Sequence, residues 1–365
     1  MASHRKLISS SHILICRTDN IGDVVLTLPM AQRLHELNPG ARISLLCRSY
    51  VADVAKLSSC IDEVVVLEDI EQDPVAFFKN SDIDTVIFAQ PNRMLVHAAF
   101  RAGIRNRIGN ARQKLYLMLF CNRWVRFSKR LTDHHEAQIN FEFLKPFGDD
   151  AIPTLEEVSH YQHFDLPTPD QGMSSLLCGE HFNLIFHPRS NGHGREWPVE
   201  HFEQLARLLA TDHRIRIWLT GSAAEGEWLR ANAASLLAQP NVTDVCGRFS
   251  LEQLAVFINE SDALIASGTG PLHLSGALGK HTIGLFPPTR PMHPGRWAAL
   301  GEHSVNLCSN HACAECATNT SRTCNCMKEI SPEQTAQIVL QWSQEKANES
   351  AAHTQPTAQN AALLH

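Results

Sequence analysis

Apolar residues fall along this chain in short, near-continuous runs separated by stretches with helical spacing. His12-Ile13-Leu14-Ile15-Cys16 is the first run and reads as a buried strand. The polar turn Arg17-Thr18-Asp19-Asn20-Ile21-Gly22-Asp23 follows, then helical spacing from Val24 to Leu37, stopped by Asn38-Pro39-Gly40. Ile43 to Cys47, Val64 to Leu67 and Thr85 to Ala89 read as further strands, with a short helix at Asp53 to Leu57. Pro146 to Gly179 has several prolines and little periodicity, which suits a linker. The alternation then restarts. Strands are expected at Asn183 to His187, Ile215 to Gly221, Val242 to Cys246, Ala263 to Ala266 and His281 to Phe286. Helices are expected at Val199 to Leu209, Glu225 to Leu237 and Leu251 to Ile258. Ser331-Pro332-Glu333 opens a last helix over residues 331–346, and the Ala/Gln/Asn/Thr-rich tail 347–365 is expected to be disordered. Apolar strands alternating with helices predict an α/β fold, with parallel sheets covered on both faces.

Two such halves enclose a cleft, and ligands of open α/β sheets bind beyond the carboxyl ends of the strands. The polar turns fall at those ends: Asp19 to Asp23, Ser190 to Glu196, Gly221 to Glu225 and Gly268 to Gly270. The last is the most pointed. An apolar strand breaks into Gly268-Thr269-Gly270, and a helix starts near Pro271. Backbone N–H groups at a helix start form an anion site, with a diphosphate as the usual occupant; a plain tight turn is the alternative.

Charge adds one feature. The net charge of −6 excludes nucleic-acid binding on bulk charge, yet Thr85 to Thr132 holds no acid and ten Lys and Arg. Within it, Leu115 to Phe127 mixes apolar residues with arginines, as a membrane-surface helix would; an ordinary amphipathic helix is the other reading. No apolar run reaches membrane-spanning length, and Met1 to Ser11 lacks a signal-peptide core, so a cytoplasmic protein is expected. Of eleven cysteines, five lie between Cys308 and Cys326. Cys313, Cys316, Cys324 and Cys326 suit a structural zinc or iron ion, with reduced thiols or disulfides as the alternatives.

Several motifs resemble one family. Arg17-x-Asp19-x-x-Gly22-Asp23-Val24-Val25-Leu26-Thr27-x-Pro29 is similar to the opening motif of the heptosyltransferases, glycosyltransferase family 9. Phe186-His187-Pro188 with Arg195-Glu196-Trp197-Pro198 resembles the start of that family's second domain. Gly268-Thr269-Gly270-Pro271-Leu272-His273-Leu274, continued by Ala277-Leu278-Gly279, resembles its signature, although Gly268 stands where an aspartate is usual. The resemblance implies a GT-B fold, with two Rossmann-like domains whose parallel sheets face a central cleft. It assigns 1–165 to the acceptor and 180–330 to the nucleotide sugar, with the last helix packing back on the first domain. It implies inverting transfer of heptose from ADP-heptose to an anionic, lipid-linked lipopolysaccharide inner-core acceptor. No cofactor is required for catalysis, and the enzyme would sit peripherally on the cytoplasmic face of the inner membrane.

By the same resemblance Asp23 is the base that takes the acceptor proton, and Asp19 caps the helix or contacts the acceptor. Arg195, at a position usually lysine, supports the leaving diphosphate. Ser190 and Asn191 donate to phosphate, Glu225 holds sugar hydroxyls or merely favours a helix start, and Phe249 meets adenine or packs in the core. Gly268, Thr269 and Gly270 form the phosphate turn, which His273 supports unless it only packs. Arg105, Arg107 and Arg112 in the basic segment suit the acceptor's anionic groups. Two other functions remain open. One is a protein heptosyltransferase of the autotransporter-modifying type with a cysteine-bound metal; the other is a non-catalytic nucleotide-sugar-binding protein, suggested by Gly268.

Overall fold

β1 (His12–Cys16) is buried at every position and pairs in parallel with both β2 (Arg42–Cys47) and β4 (Thr85–Phe88). Such a strand has no solvent face, which explains its unbroken apolar run. With β3 (Glu63–Val66), β5 (Asn106–Asn110) and β6 (Arg123–Val125) it forms one six-stranded sheet, order β3-β2-β1-β4-β5-β6. The second half repeats this plan. β7 (Phe182–His187), β8 (Ile215–Leu219), β9 (Val242–Asp244), β10 (Ala263–Ser267), β11 (His281–Phe286) and β12 (Ser304–Cys308) form a sheet in the order β12-β11-β10-β7-β8-β9. The α/β expectation holds, as two doubly wound parallel sheets. In each, the strand order reverses beside the first strand, and crevices open at such reversals. The computed structural model describes residues 7–354 except 178, 180, 191, 193, 312 and 319–322.

The two halves share an apolar seam. Val25, Val54 and Leu57 of the first half join Val256, Leu272 and Phe286 of the second in one buried cluster. No helix among the described residues is long and apolar enough to cross a membrane.

Several local expectations are corrected. The helix expected from Val24 divides into Ile21–Val25 and Leu28–Leu37, because Thr27 turns its hydroxyl back to the Asp23 carbonyl and Pro29 lacks an N–H. The amphipathic stretch Leu115 to Phe127 is a helix only over Leu115–Phe120, and Arg123–Val125 joins the sheet edge. Asn122 makes that break. Its side chain accepts from the Arg107 N–H at 2.9 Å and donates to the Arg105 carbonyl at 2.8 Å, fixing the chain to β5. The linker carries two short helices, Leu155–Ser159 and Gln171–Leu176, capped by Thr154 and Asp170.

The last helix, Pro332–Thr354, also departs from expectation. It packs on the second half, not back on the first. Ala336, Val339 and Trp342 form one buried stripe in the cluster that contains Phe202, Leu205 and Leu209 of the helix Val199–Leu209. Trp342 stacks on His281 at 4.5 Å, and Lys346 pairs with Asp262 at 2.7 Å. The helix continues past 346 to Thr354, so the expected disordered tail begins as helix; 355–365 lie outside the described residues.

Candidate active site

The loops that leave β1, β7 and β10 converge on a cleft of about 760 Å³. Asn20, Gly22, Asp23 and Tyr50 line it from the first half; Arg195, Glu225, Phe249, Gly268, Thr269, Gly270 and His273 line it from the second. Glycine is needed where the halves meet. A Cβ on Gly22 would lie 2.6 Å from the His273 ring, and one on Gly270 would lie 2.6 Å from Ile21. The helices Ile21–Val25 and Gly270–Ala277 thus touch across the cleft through glycine on each side.

Beneath Asp23 lies a buried charge cluster. The Arg17 guanidinium, 1% exposed, places Nε 2.8 Å from Asp19 Oδ1 and Nη2 against Asp23 Oδ1. The same Nη2 lies 3.1 Å from Glu136 Oε1. Lys129 Nζ donates to that oxygen at 2.7 Å, and Arg296 of the second half contacts Oε2. Burial alone would raise the Glu136 carboxyl, but Lys129, Arg17 and Arg296 outweigh it and hold the group at about 2. Asp19 goes the other way. Burial, opposed by Arg17 and reinforced by Asp23, pushes its carboxyl up to about 6. His273 is buried and pushed down to about 4 by desolvation, against the pull of Asp23, so it faces Gly22 as a neutral ring.

The second half's side of the cleft is built on helix starts. Ser222 and Ser250 head capping boxes on Ala223–Asn232 and Leu251–Glu260, and Thr269 precedes Gly270–Ala277. The Thr269 hydroxyl is buried and has no hydrogen-bond partner among the described residues. A positive helix end beside an unused hydroxyl and the buried Arg195 makes a site for an anion. Arg195 also reaches the Cys316 carbonyl at 3.5 Å. Glu225 gives Oε2 to the Ser222 N–H at 2.8 Å and its hydroxyl at 2.9 Å, the cap that the sequence offers as an alternative role. Phe249 stacks on Phe257 at 4.7 Å while lining the cleft. Ser190 spends its N–H and hydroxyl on Glu196, at 2.9 and 3.1 Å. Asn191 lies outside the described residues.

The basic residues chosen from sequence are not gathered at the cleft. Arg105 sits before the amino end of β5, and Arg107 donates Nε to the Phe120 carbonyl at 2.7 Å. Arg112 is exposed just past the carboxyl end of β5 and does not line the cleft. Sequence reasoning missed Glu136, Lys129 and Arg296. The available signal was that Asp133 and Glu136 are the first acids after the acid-free run; both meet arginines of the second half, Arg290 and Arg296. Arg189 was missed too; it pairs with Glu196 at 2.9 Å and lies 3.7 Å over the Trp228 ring.

The cysteine expectation is met in its geometry. The Sγ atoms of Cys313, Cys316, Cys324 and Cys326 all lie within 4.8 Å of one another, with neighbours at 3.2, 3.3 and 3.4 Å. Tetrahedral thiolate–zinc bonds of about 2.3 Å would put sulfurs about 3.8 Å apart, inside that span.

Comparison with known proteins agrees with this architecture. Lipopolysaccharide heptosyltransferase 1 of Escherichia coli K12 is 26% identical over 302 residues, 76% of this chain and 88% of the relative. The E. coli heptosyltransferase WaaC, solved with ADP, superposes with a TM-score of 0.67 at 21% identity, covering 91% of this chain and 99% of its own. TibC of enterotoxigenic E. coli, an iron-containing dodecameric glycosyltransferase, superposes at 0.55 with 12% identity over 93% of this chain and 78% of its own. The model of glycosyltransferase family 9 (heptosyltransferase) matches residues 78–327, which is most of the chain, and the protein belongs to that family of transferases.

Proposed function

We propose that the chain transfers a heptose from ADP-heptose to an anionic, lipid-linked lipopolysaccharide inner-core acceptor, with inversion at the anomeric carbon. The observation that carries this reading is the meeting of two turns across one cleft, Asp23 on one side and the Thr269-Gly270 helix start with Arg195 on the other. Asp23 takes the proton of the acceptor hydroxyl as that oxygen attacks the anomeric carbon. The C–O bond to the diphosphate breaks on the opposite face, and Arg195, the Thr269 hydroxyl and the helix N–H groups take up the charge of the departing ADP. Arg17 fixes the direction of Asp23 through Oδ1. Residues 1–165 hold the acceptor and 180–330 the nucleotide sugar, and the enzyme works peripherally on the cytoplasmic face of the inner membrane.

Cys313, Cys316, Cys324 and Cys326 hold a structural zinc or iron ion in this reading. It orders the loop whose Cys316 carbonyl meets Arg195 and whose Cys313 carbonyl accepts from Thr289 at 3.5 Å. The ion takes no part in the chemistry proposed. A second reading keeps the cysteine-bound metal and takes a protein as the acceptor, as the sequence also allows.

The test is incubation with ADP-heptose and heptose-deficient inner-core lipopolysaccharide, read as acceptor mass gain and ADP release. Asp23→Asn should lower turnover about 10²- to 10⁴-fold with donor affinity unchanged. Transfer to an autotransporter passenger but not to lipopolysaccharide would favour the second reading. ADP-heptose binding without transfer to either acceptor would refute both.

A further inference from the structure

The acid-free segment also carries most of the large hydrophobic side chains exposed among the described residues. Ten large hydrophobic side chains are exposed among the described residues, and six of them fall between Met94 and Leu131. The helix Leu115–Phe120 buries only Leu117; Leu115, Met118 and Leu119 are 71, 50 and 65% exposed. The neighbouring helix Arg93–Arg101 turns Phe100 outward beside it. The Phe100 and Phe120 rings lie 5.1 Å apart, so the two helices present one continuous face. Neighbouring exposed apolar side chains of this size mark a contact surface.

We propose that this face docks on an anionic lipid bilayer, with Leu115, Met118, Leu119 and Phe100 entering the interface. The cations decide the occupant. Arg93, Arg101, Arg112 and Lys114 are exposed on or beside the two helices, and no acid lies between Thr85 and Thr132. A second copy of the chain would set these charges against each other with no counter-charge, whereas anionic headgroups neutralise them. Apolar side chains at the centre with Lys and Arg around them form the pattern of a helix lying in the headgroup region. Docked there, the enzyme would meet a lipid-borne acceptor at the headgroups. This use of the surface rests on the function proposed above; the binding itself does not.

The full chain is sedimented with vesicles of phosphatidylcholine alone and of phosphatidylcholine mixed with phosphatidylglycerol. Binding is expected to the mixed vesicles only, and to weaken as salt rises. L115S/M118S/L119S should bind at least about tenfold more weakly. Its melting temperature, and its ADP-heptose turnover on a delipidated soluble acceptor, should match the wild type. Wild-type protein that stays in the supernatant at low salt overturns the proposal, as does a triple variant that binds fully. A wild-type oligomer that the triple variant dissociates assigns the face to a second copy and overturns it too. Absence of heptosyl transfer would leave the vesicle result standing, so the two readings fail separately.

Discussion

Glu136→Gln removes one negative charge from a pocket that holds three positive ones. The amide keeps the shape of the carboxylate but leaves Arg17, Lys129 and Arg296 facing each other at a site 1% exposed. The size of the loss follows from the carboxyl itself. Held at about 2 against an ordinary 4.5, it contributes about 3 kcal/mol to folding, at 1.36 kcal/mol per pKa unit. Breaking a buried ion pair from one side typically costs about 3–5 kcal/mol, in agreement. Lys129, whose ammonium burial already pushes down, can shed its proton in the variant, which favours the lower end. In a chain of this size the melting temperature should fall by roughly 4 °C at pH 7. A carboxyl whose folded pKa is depressed stabilises above its unfolded pKa and loses that contribution as pH falls through the folded value. The gap between wild type and variant should therefore be full at pH 7 and shrink from pH 4.5 downward, toward about 2. Turnover should fall as well, since Arg17 loses the partner that sets it against Asp23, while ADP affinity stays. Calorimetric scans at several pH values decide the matter. A variant melting within 1 °C of wild type at pH 7, or a gap that stays constant into acid, refutes the reasoning.

Arg195→Ala should weaken ADP binding about 10- to 100-fold by titration calorimetry, the range for a charged hydrogen bond, and Arg195→Lys should recover most of it; equal affinity in all three proteins would remove the phosphate role. Protein purified without a metal-affinity tag should contain close to one zinc or iron ion per chain by elemental analysis, and Cys316→Ser with Cys324→Ser should lose it and lower the melting temperature. Four freely titratable thiols in the metal-free native protein would show that the cysteine cluster binds no ion.

Much of the architecture was legible because its signals are local. β1, β7 and β10 are buried on both faces, so each is an unbroken apolar run whatever surrounds it. The turns after them carry Gly22, Gly194 and Gly268 to Gly270 at close backbone approaches, and only small residues fit there. What failed to show depends on distant partners. β6 is a three-residue edge strand in a segment that alone reads as helix; the pairing of Asn122 with β5 decides its state. Glu136 meets Arg17 from 119 residues away and Arg296 from 160, and a charged residue in a list of charged residues gives no sign of that. The last helix has a clear apolar stripe, but a stripe does not say which surface it covers.

That last helix bears on how such an enzyme changes its substrates over generations. Had it returned to the first sheet, the first half would include a segment that follows the second, and an exchange of second halves would need two breakpoints. Here the stripe Ala336, Val339 and Trp342 and the Lys346–Asp262 pair stay with the half that begins at Phe182. The chain crosses between the two sheets once, through the segment after Gly148. One recombination event in that stretch inherits the whole second half with this helix in place. The shared seam around Val25 and Leu272, the fit of Gly22 against His273, and the Glu136–Arg296 and Asp133–Arg290 pairs are then surfaces that both parents must have in common.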